Sequence, residues 1–382
     1  MILKDGDKLL PSYVPSEIPH REEQVQQLLQ YFANALDNPD SAGLKFYQIV
    51  GPVGSGKTVA ALKFGEAMEQ GARRRGMKMK VVYVNPRQHG NTRLMIFRRI
   101  VQAVETNIFS ASYSAEELLV ELLKYLNRSN SYMMLIFDEL DYFVSQSKEQ
   151  IVYNLTRLNE ISPADKCRVL GIVFTARSTA YQSKLDEAEL SSLGRYYVKF
   201  EAYNSQQVYD ILERRSYEAI EAGAIGNSVL RYIADITASP PISGDIRYAL
   251  SLLYNSCMLA QNRGDAMVEL DHVRTVVGVI SPSLTEEELM YLPEDEKLIL
   301  YAIANGLKYS NSPYLSFDQI LSQIEQMKGK KAEIRAIVKG VQDLSDRGII
   351  EVKGLTEIGI PNIPANRLEK FLDFLLKRLE RD

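Results

Sequence analysis

The first half of the chain alternates between short apolar runs and longer stretches in which apolar residues recur with helical spacing. The short runs predict buried strands, and the stretches between them predict amphipathic helices. Because strands that alternate with helices form βαβ units, the pattern predicts an α/β fold with a parallel sheet covered on both faces. Ser114 and Glu117 have the spacing of a capping box at the start of one helix. The predicted strands are Phe46–Val50, Lys80–Val84, Met133–Phe137, Val169–Phe174 and Tyr197–Phe200, and the predicted helices are Arg21–Leu36, Lys57–Gln70, Arg93–Val104 and Ser114–Leu126.

After the last of these strands, helical spacing dominates and predicts a helical domain over 204–277. Asn204 and Gln207 again have the spacing of a capping box. The stretch 278–293 contains an acidic run and is expected to be a linker into a third unit.

The C-terminal part predicts three helices, two short strands and a last helix, which is the layout of a winged helix-turn-helix. The pattern therefore divides the chain into an α/β core at 1–203, a helical domain at 204–284 and a winged helix at 285–382. The predicted C-terminal elements are the helices Glu294–Ala304, Phe317–Met327 and Ala332–Asp346, the strands Ile349–Val352 and Ile358–Ile360, and the helix Arg367–Leu379.

The composition is that of an ordinary globular chain, with 382 residues, 46% hydrophobic and 25% charged, and it excludes global disorder. Two cysteines, Cys167 and Cys257, cannot form a disulfide framework and indicate a reducing, cytoplasmic compartment. The three histidines are scattered, which argues against a zinc site. The chain has neither a signal-peptide pattern at its start nor an apolar run long enough for a membrane span, so we expect no membrane partner. Because the formal net charge is −4, any nucleic-acid surface has to be a local patch.

The segment 51–58 reads GPVGSGKT and fits the phosphate-binding pattern G-x-x-x-x-G-K-[ST]. It follows a predicted strand and opens a predicted helix, which is the context that the pattern requires. The glycines let backbone N–H groups converge on phosphates, and the helix N-terminus adds positive potential. Lys57 is expected to reach the β- and γ-phosphates of ATP, and the Thr58 hydroxyl is expected to ligate Mg²⁺.

The apolar strand Met133–Phe137 ends in two carboxylates, Asp138 and Glu139. In phosphate-loop enzymes an acidic residue at such a strand tip helps to hold Mg²⁺, and Asp138 is expected to take this role. Glu139 is then placed to polarise the attacking water, which hydrolysis requires and binding alone does not.

A phosphate loop, an Asp-Glu strand end and a following helical domain resemble the AAA+ ATPases. Further segments, in their order along nearly the whole chain, resemble the archaeal origin-recognition replication initiators, which are AAA+ ATPases with a winged helix. These segments are Tyr13–Glu22, Tyr83–Gln88, Asp138–Asp141, Ser191–Gly194, Phe200–Tyr203, Ile211–Arg215 and Gly244–Arg247.

The resemblance implies roles for individual residues. Arg247, on a helix of the lid that residues 204–284 would form, is expected to contact the γ-phosphate. Thr175 is the candidate for the polar residue at the end of the fourth strand, and Arg195 is the candidate for a trans-acting arginine finger. Because Thr175 replaces the usual amide and Ser192 stands where eukaryotic relatives have arginine, slow, switch-like hydrolysis is expected. The expected nucleotide-binding residues are Tyr13, Val14, Arg21, Pro52, Val53, Gly54, Ser55, Gly56, Lys57, Thr58, Val59 and Arg247.

A basic cluster marks the start of the third helix of the winged unit, the helix that enters the major groove in such folds. Cations at a helix N-terminus oppose the macrodipole, which indicates an external anion. Arg335 is the better candidate to read a base, because its planar fork fits guanine. A solvated helix face used in a protein contact is the alternative. The expected DNA-binding residues are Lys328, Lys330, Lys331, Arg335, Lys339 and, in the wing, Lys353.

Two further regions are weaker candidates for DNA contact. The segment Thr106–Tyr113 occupies the place of a family-specific insertion, and its Phe109 and Tyr113 could lie against the DNA backbone or belong to the core. The cluster Arg73–Arg75 is more typical of a solvated helix end.

The resemblance therefore implies a replication initiator, cytoplasmic and nucleoid-associated, that binds ATP or ADP with Mg²⁺ and origin duplex DNA. It further implies that the protein helps to recruit or load the replicative helicase, alone or with paralogous initiators, as a monomer that assembles on DNA. The alternative is a signalling or transposition-associated ATPase of similar layout, whose winged helix is a protein-contact module.

Overall fold

The computed structural model describes residues 1–105, 112–161, 166–194, 196–240, 242–280, 292–310, 312–329, 331–346, 349–353 and 357–360. The chain forms two compact units. Residues Val14–Tyr203 form the first, here called the sheet unit, and Met1–Tyr13 together with Asn204–Asp382 form the second, here called the helical unit.

The sheet unit is built on five parallel strands in the order β2-β3-β4-β1-β5. This confirms the predicted parallel sheet, and each strand overlaps its predicted range. Because all five strands are parallel, the residues that follow their carboxyl ends meet at one edge of the sheet. The strands are β1 (Lys45–Val50), β2 (Lys78–Val84), β3 (Ser131–Phe137), β4 (Val169–Ala176) and β5 (Tyr197–Lys199).

Helices cover both faces of this sheet and bury alternate residues of the central strands. Every residue of β4 is buried, with Phe174 in the core on one face and Val173 in the core on the other. The helices are α1 (Glu22–Asp37), α2 (Lys57–Arg74), α3 (Pro86–His89), α4 (Arg93–Val104), α5 (Ala115–Arg128), α6 (Leu140–Gln146), α7 (Ile151–Thr156), α8 (Leu158–Ile161) and α9 (Glu187–Leu193), with a 3-10 helix at Thr179–Lys184. The short helices α3 and α6–α9 carry too few turns to give a periodic signal, and the sequence pattern did not predict them.

The helical unit contains the four helices of the predicted lid and, beyond them, the elements of the predicted winged helix. The capping boxes at Ser114–Glu117 and Asn204–Gln207 are confirmed, because in each the side chain of one residue bonds the backbone N–H of the other. The lid helices are α10 (Ser205–Ala219), α11 (Asn227–Ala238), α12 (Ile246–Arg263) and α13 (Leu270–Ile280).

The first thirteen residues pack on the lid helices, whereas the sequence pattern grouped them with the α/β core. Ile2 and Leu9 are buried, and Leu9 ends a 3-10 helix, Gly6–Leu9, that contacts α10 and α12. The backbone N–H of Ile2 donates to the Gln261 side chain at 3.1 Å, and that of Lys4 donates to the Ala219 carbonyl at 3.0 Å. Burial of these apolar side chains explains why the segment belongs with residues 204–382.

The C-terminal elements follow the order helix, strand, helix, helix, strand, strand, which is typical of a winged helix. The three strands form an antiparallel sheet in the order β6-β8-β7, one strand more than the predicted wing. The predicted helix Arg367–Leu379 and most of the predicted linker lie outside the described residues. The elements are α14 (Glu294–Tyr309), β6 (Leu315–Ser316), α15 (Phe317–Lys328), α16 (Ile334–Asp346), β7 (Glu351–Lys353) and β8 (Glu357–Gly359).

Contacts join the lid helices to the C-terminal sheet within the helical unit. The Tyr232 hydroxyl on α11 donates to the Ile360 carbonyl at 3.2 Å, and its ring meets the Tyr314 ring edge to face at 6.2 Å. The Arg274 guanidinium on α13 donates to the Pro313 carbonyl at 3.4 Å. Tyr232 is fully buried, so these contacts belong to a packed interface between lid and wing.

Candidate functional site

The glycine-rich segment 51–58 turns tightly from β1 into α2 at the carboxyl edge of the sheet. Gly54 and Gly56 have φ angles of 71° and 87°, which glycine adopts without a steric cost. Gly51 needs its missing side chain for another reason, because a Cβ there would lie 2.2 Å from the Phe200 carbonyl oxygen. The backbone N–H of Gly51 donates to the Ala176 carbonyl at 3.2 Å, which fixes the loop to the end of β4.

Lys57 and Thr58 begin α2 directly after this turn. The Lys57 ammonium donates to the carbonyls of Gly51 and Pro52 at 2.7 and 2.6 Å, so it closes the loop on itself. The Thr58 hydroxyl donates to Asp138 Oδ2 at 2.9 Å. The structure therefore joins the two predicted phosphate-loop residues to the end of β3.

Asp138 is nearly fully buried, and its carboxylate accepts hydrogen bonds from several side chains. Oδ2 accepts from the Tyr83 hydroxyl at 2.7 Å and from the Asn85 amide at 3.4 Å, in addition to Thr58. Oδ1 accepts from the Thr175 hydroxyl. Burial, together with the Asp138 charge, raises the pKa of Tyr83, so Tyr83 remains a hydrogen-bond donor. A buried carboxylate requires this satisfaction, and the four donors hold it in one orientation.

Thr175 links the two acidic residues of the site. It is fully buried near the end of β4, and while its hydroxyl donates to Asp138, its oxygen accepts from the backbone N–H of Glu139 at 3.0 Å. The sequence predicted Thr175 as the polar residue at the end of the fourth strand, and the structure puts it one hydrogen bond from each of the two acidic residues.

Glu139 has a left-handed backbone conformation, with φ 55° and ψ 48°, which is uncommon for a residue with a long side chain. Its carboxylate forms an ion pair with Arg87, which follows β2. The Arg87 guanidinium also lies over the Tyr142 ring, 4.1 Å from its centroid. The expected general base is therefore held by a cation in this structure.

Arg21 lies beneath the phosphate loop and not at an open surface. It is 4% exposed, and its guanidinium donates to the carbonyls of Ser55 at 2.9 Å and Glu201 at 2.6 Å. It stacks on the Tyr203 ring at 3.9 Å from the centroid. Burial lowers the pKa of Arg21, but arginine stays charged at neutral pH. Arg21 therefore supports the loop backbone through Ser55.

The remaining residues expected at the nucleotide are divided between the two units. Val14 begins the sheet unit, and Tyr13 ends the first segment of the helical unit, where its hydroxyl donates to Glu218 at 2.8 Å. Arg247 lies in the first turn of α12, half exposed, with its Nε 3.7 Å from the capping residue Asp245. Arg195 lies outside the described residues. The other expected residues, Pro52, Val53, Gly54, Ser55, Gly56 and Val59, lie in the loop and the first turn of α2.

The expected DNA-binding residues have different surroundings. Lys331, Arg335 and Lys339 are exposed at the start and on the outer face of α16. Lys328 ends α15 and pairs with Asp295 at 3.4 Å. Lys330 lies outside the described residues.

Lys353 in the wing is bound to the lid. Its ammonium pairs with Asp235 on α11, whose carboxylate is 5% exposed and also accepts from the Ser205 hydroxyl. Glu351 lies nearby, and burial, reinforced by the Asp235 charge, raises the pKa of its carboxyl group. A DNA phosphate at Lys353 would compete with Asp235 for this ammonium.

The two weaker DNA candidates have ordinary structural partners where they are described. Tyr113 is partly buried against the core of the sheet unit, and Phe109 lies outside the described residues. Arg75 pairs with Asp37 at 2.7 Å, and Arg73 lies 3.7 Å from Glu69.

Sequence reasoning did not assign Tyr83, Asn85, Arg87 and Tyr203 to the site. Tyr83 lies at the end of β2, and Asn85 and Arg87 follow it. Because β2 is next to β3 in the sheet, their side chains reach Asp138 and Glu139. Polar residues at the end of a predicted strand and directly after it were the available signal. Assigning these residues to the site requires the strand order, in which β2 and β3 are neighbours.

Among the described residues, no cluster of three or more His, Cys, Asp or Glu side chains could hold a metal by itself, and no helix there is both long and apolar enough to cross a membrane. Thr58 and Asp138 supply a hydroxyl and a carboxylate oxygen 2.9 Å apart, which are ligand types that Mg²⁺ accepts beside nucleotide phosphates.

A phosphate loop between β1 and α2, a carboxylate pair at the end of the parallel strand β3 and a separate set of lid helices define an AAA+ ATPase. The chain matches a family model described as AAA domain over residues 40–182. It matches a second, described as Cdc6 AAA+ ATPase-type lid domain, over residues 209–277.

Comparison with curated proteins and solved structures narrows this class. The chain is 30% identical to ORC1-type DNA replication protein 1 of Archaeoglobus fulgidus over 94% of its own length and 84% of that protein. Its fold is similar to Cdc6p from Pyrobaculum aerophilum, with TM-score 0.82, 28% identity and 99% of each chain covered. It is also similar to the Aeropyrum pernix ORC1 protein, solved in complex with DNA, with TM-score 0.65, 26% identity and 99% of each chain covered. This chain belongs to the ORC1-type DNA replication protein family, which confirms the resemblance found in the sequence.

Proposed function

We propose that this chain is a replication initiator that binds ATP or ADP with Mg²⁺ at residues 51–58, hydrolyses ATP slowly and binds origin duplex DNA through its C-terminal domain. The observation that carries the proposal is the contact between Thr58 and Asp138, because it joins the phosphate loop to the acidic strand end. Thr58 and Asp138 would hold the Mg²⁺, whose chemistry is to neutralise charge on the phosphates.

Side chains of this protein would carry out phosphate binding and the activation of water. The Lys57 ammonium, now on the Gly51 and Pro52 carbonyls, would turn to the phosphates. Glu139 would accept a proton from the attacking water, while Thr175 fixes the Glu139 backbone through its 3.0 Å hydrogen bond. The ion pair between Arg87 and Glu139 supports slow hydrolysis, because the carboxylate has to leave a cation before it can act as a base.

Nucleotide titration and a steady-state phosphate-release assay test this part of the proposal. Lys57→Ala should lose nucleotide binding, whereas Lys78→Ala, at an exposed lysine of β2, should not. Glu139→Gln should keep nucleotide binding and lose about 10²–10⁴-fold in hydrolysis, whereas Glu66→Gln, on the exposed face of α2, should change neither. Full hydrolysis by Glu139→Gln would assign the base to another residue.

The DNA part of the proposal is supported by the Aeropyrum pernix ORC1 protein solved with DNA and by the exposed cations of α16. Fluorescence anisotropy should compare fragments of the host's origins with scrambled duplexes, at two salt concentrations and with ATP or ADP. We expect a preference for a subset of fragments that persists at the higher salt, since phosphate contacts alone weaken steeply with salt. Lys331→Ala and Arg335→Ala should weaken this binding, while Lys124→Ala, on the surface of the sheet unit, should not. Equal binding of every duplex that vanishes with salt would favour the alternative, in which the winged helix contacts protein.

Family membership supports a proposal about the partners and the assembly of this protein. The proposal includes recruitment or loading of the replicative helicase, with paralogous initiators as further partners. It also includes a monomer that assembles on DNA in the nucleoid. Co-purification of the wild-type chain with origin fragments and helicase, lost in Lys57→Ala, is the outcome expected of this setting.

A further inference from the structure

Helix α16 presents two chemically different faces. Ile337, Val341 and Leu344 are buried in the core of the C-terminal domain. Gly340 lies on the same face, where a Cβ would be 2.5 Å from the Ile299 side chain, so α16 packs closely on α14. The core-facing side of the helix is therefore fixed.

Two apolar side chains directly beside the core-facing side remain exposed. Ile334 is 56% exposed and Val338 is 51% exposed. Their spacing of four residues places them one turn apart on the same stripe of the helix. Isolated exposed apolar residues are common on protein surfaces, but two β-branched residues stacked on one stripe form a continuous apolar strip.

Cations lie on the solvent side of this apolar strip and at the start of the helix. Arg335 and Lys339 form the adjacent stripe, also four residues apart and exposed, and Lys331 precedes the helix. Glu333 is the one acidic residue within 331–342. The surface therefore fits a ligand that is anionic at its margins and offers apolar groups between them.

The major groove of duplex DNA has this combination of features. It admits an α-helix, its walls are phosphates, and each A·T pair displays the C5-methyl group of thymine. Arginine and lysine reach phosphates or guanine edges, whereas only an apolar side chain gains from contact with the methyl group. A protein partner would need an apolar side chain to contact the strip and acidic residues around it to pair with every cation of the basic stripe.

We propose that Ile334 and Val338 contact thymine methyl groups in the major groove, so that α16 distinguishes thymine from its unmethylated counterpart. This inference rests on the proposed binding of duplex DNA. In it, Lys331, Arg335 and Lys339 anchor the helix on the phosphates or a guanine edge, and the apolar strip adds dependence on base identity. The class of ligand is duplex DNA with thymine at the positions opposite the strip.

The test uses full-length protein and a duplex selected by the wild type from a random-sequence pool. The duplex is synthesised once with thymine and once with deoxyuridine at every thymine position, which removes only the C5-methyl groups. Anisotropy should show that the uracil duplex binds the wild type more weakly, by about fourfold for each methyl group buried against the strip. Ile334→Ala/Val338→Ala should bind the thymine duplex as weakly as the uracil duplex, with a ratio near one.

Matched variants separate the strip from its surroundings. Lys339→Ala should weaken both duplexes equally and keep the thymine-to-uracil ratio, because a phosphate contact does not sense the methyl group. Met95→Ala, at a 51% exposed apolar residue of the sheet unit, should behave as wild type. Val338→Ile should retain the ratio, which excludes a general loss of structure as the cause of the alanine effect.

The failures are distinguishable. A wild type that selects no duplex and binds neither form would overturn the proposed DNA binding and this inference with it. Firm duplex binding with a ratio of one, or a double variant that keeps the wild-type ratio, would overturn only the methyl contact. Loss of self-association by the double variant at an unchanged ratio would assign the strip to a protein contact and overturn the inference.

Discussion

At the scale of single residues, Asp138 organises the candidate site. Four side chains from α2, from β4 and from the end of β2 and the loop after it donate to its buried carboxylate, so its position depends on several elements at once. Glu139, the next residue, pairs with Arg87 and has an uncommon backbone conformation. The acid that would hold Mg²⁺ is therefore fixed, while the acid that would act as base is restrained by an ion pair that can open.

The restraint on Glu139 is testable by removing its partner. Arg87→Ala should raise the rate of ATP hydrolysis severalfold, because it frees the carboxylate, and should leave nucleotide affinity unchanged. Single-turnover hydrolysis together with a nucleotide titration measures both quantities. Arg98→Ala, on α4, is the control arginine. A fall in the rate would mean that Arg87 orients Glu139 for catalysis.

Gly51 is a second residue whose neighbours restrict which side chain can stand at its position. Gly51→Ala would bring a Cβ within 2.2 Å of the Phe200 carbonyl, and neither backbone can move without shifting β1 or the segment after β5. We expect a loss of about 1–3 kcal/mol in the free energy of unfolding and weaker nucleotide binding. Gly226→Ala, where a Cβ meets nothing closer than 3.8 Å, is the matched control, and denaturant unfolding compares them. Equal effects would contradict the clash.

At the scale of elements, the wing is attached to the lid by polar groups as well as by aromatic packing. β7 carries Glu351 and Lys353, and both face Asp235 on α11. The two acids repel each other across a buried contact, and Lys353 compensates only in part. We expect the stability of this contact to depend on pH.

Glu351→Gln tests this dependence. Burial and the Asp235 charge raise the pKa of Glu351 above that of an unfolded glutamate. Protonated Glu351 therefore stabilises the fold, and that contribution is lost as the pH rises from the ordinary glutamate pKa through the raised one. Calorimetry should find the variant more stable than wild type above this window, with the difference vanishing below it. Glu357→Gln, at an exposed position of β8, should show no such trend. A variant less stable at high pH would mean that pairing with Lys353 outweighs burial.

At the scale of the whole molecule, the helical unit is formed by two separate segments of the chain, one before and one after the sheet unit. The chain's first thirteen residues pack on helices that lie some two hundred positions later in sequence, and both passages between units occur at single peptide bonds, after Tyr13 and after Tyr203. Any truncation near the N-terminus therefore acts on the lid and not on the sheet.

Leu9→Ala should destabilise the helical unit by about 2–5 kcal/mol, because it leaves a cavity at a side chain that is 1% exposed. Leu10→Ala, one residue later and 37% exposed, should change little. Hydrogen exchange resolves which unit opens: α10 and α12 should lose protection and β1–β4 should keep it. Loss of protection in the sheet instead would contradict this division of the chain.

The sequence by itself determined the features that depend on neighbours along the chain. The phosphate loop, the strand before it and the helix after it are specified within about 30 residues, and the capping boxes at Ser114 and Asn204 within four. The acidic pair Asp138 and Glu139 could be read from the end of an apolar strand. Helical spacing and the order of elements predicted the helical domain and the winged helix, and the family resemblance identified the helical domain as a lid.

Only the tertiary structure decided which distant side chains meet. Periodicity predicts strands but not their order, so the neighbouring positions of β2 and β3, and with them Tyr83, Asn85 and Arg87, could not be assigned to the site. The same limit applies to Lys353, whose isolated charge indicated DNA but whose partner, Asp235, lies 118 positions away. It also applies to residues 1–13, whose apolar side chains are buried against the lid helices. Local patterns determine the elements, because their hydrogen bonds and turns are local. The partners of a buried charge or an exposed strip depend on packing between elements, which only the folded chain defines.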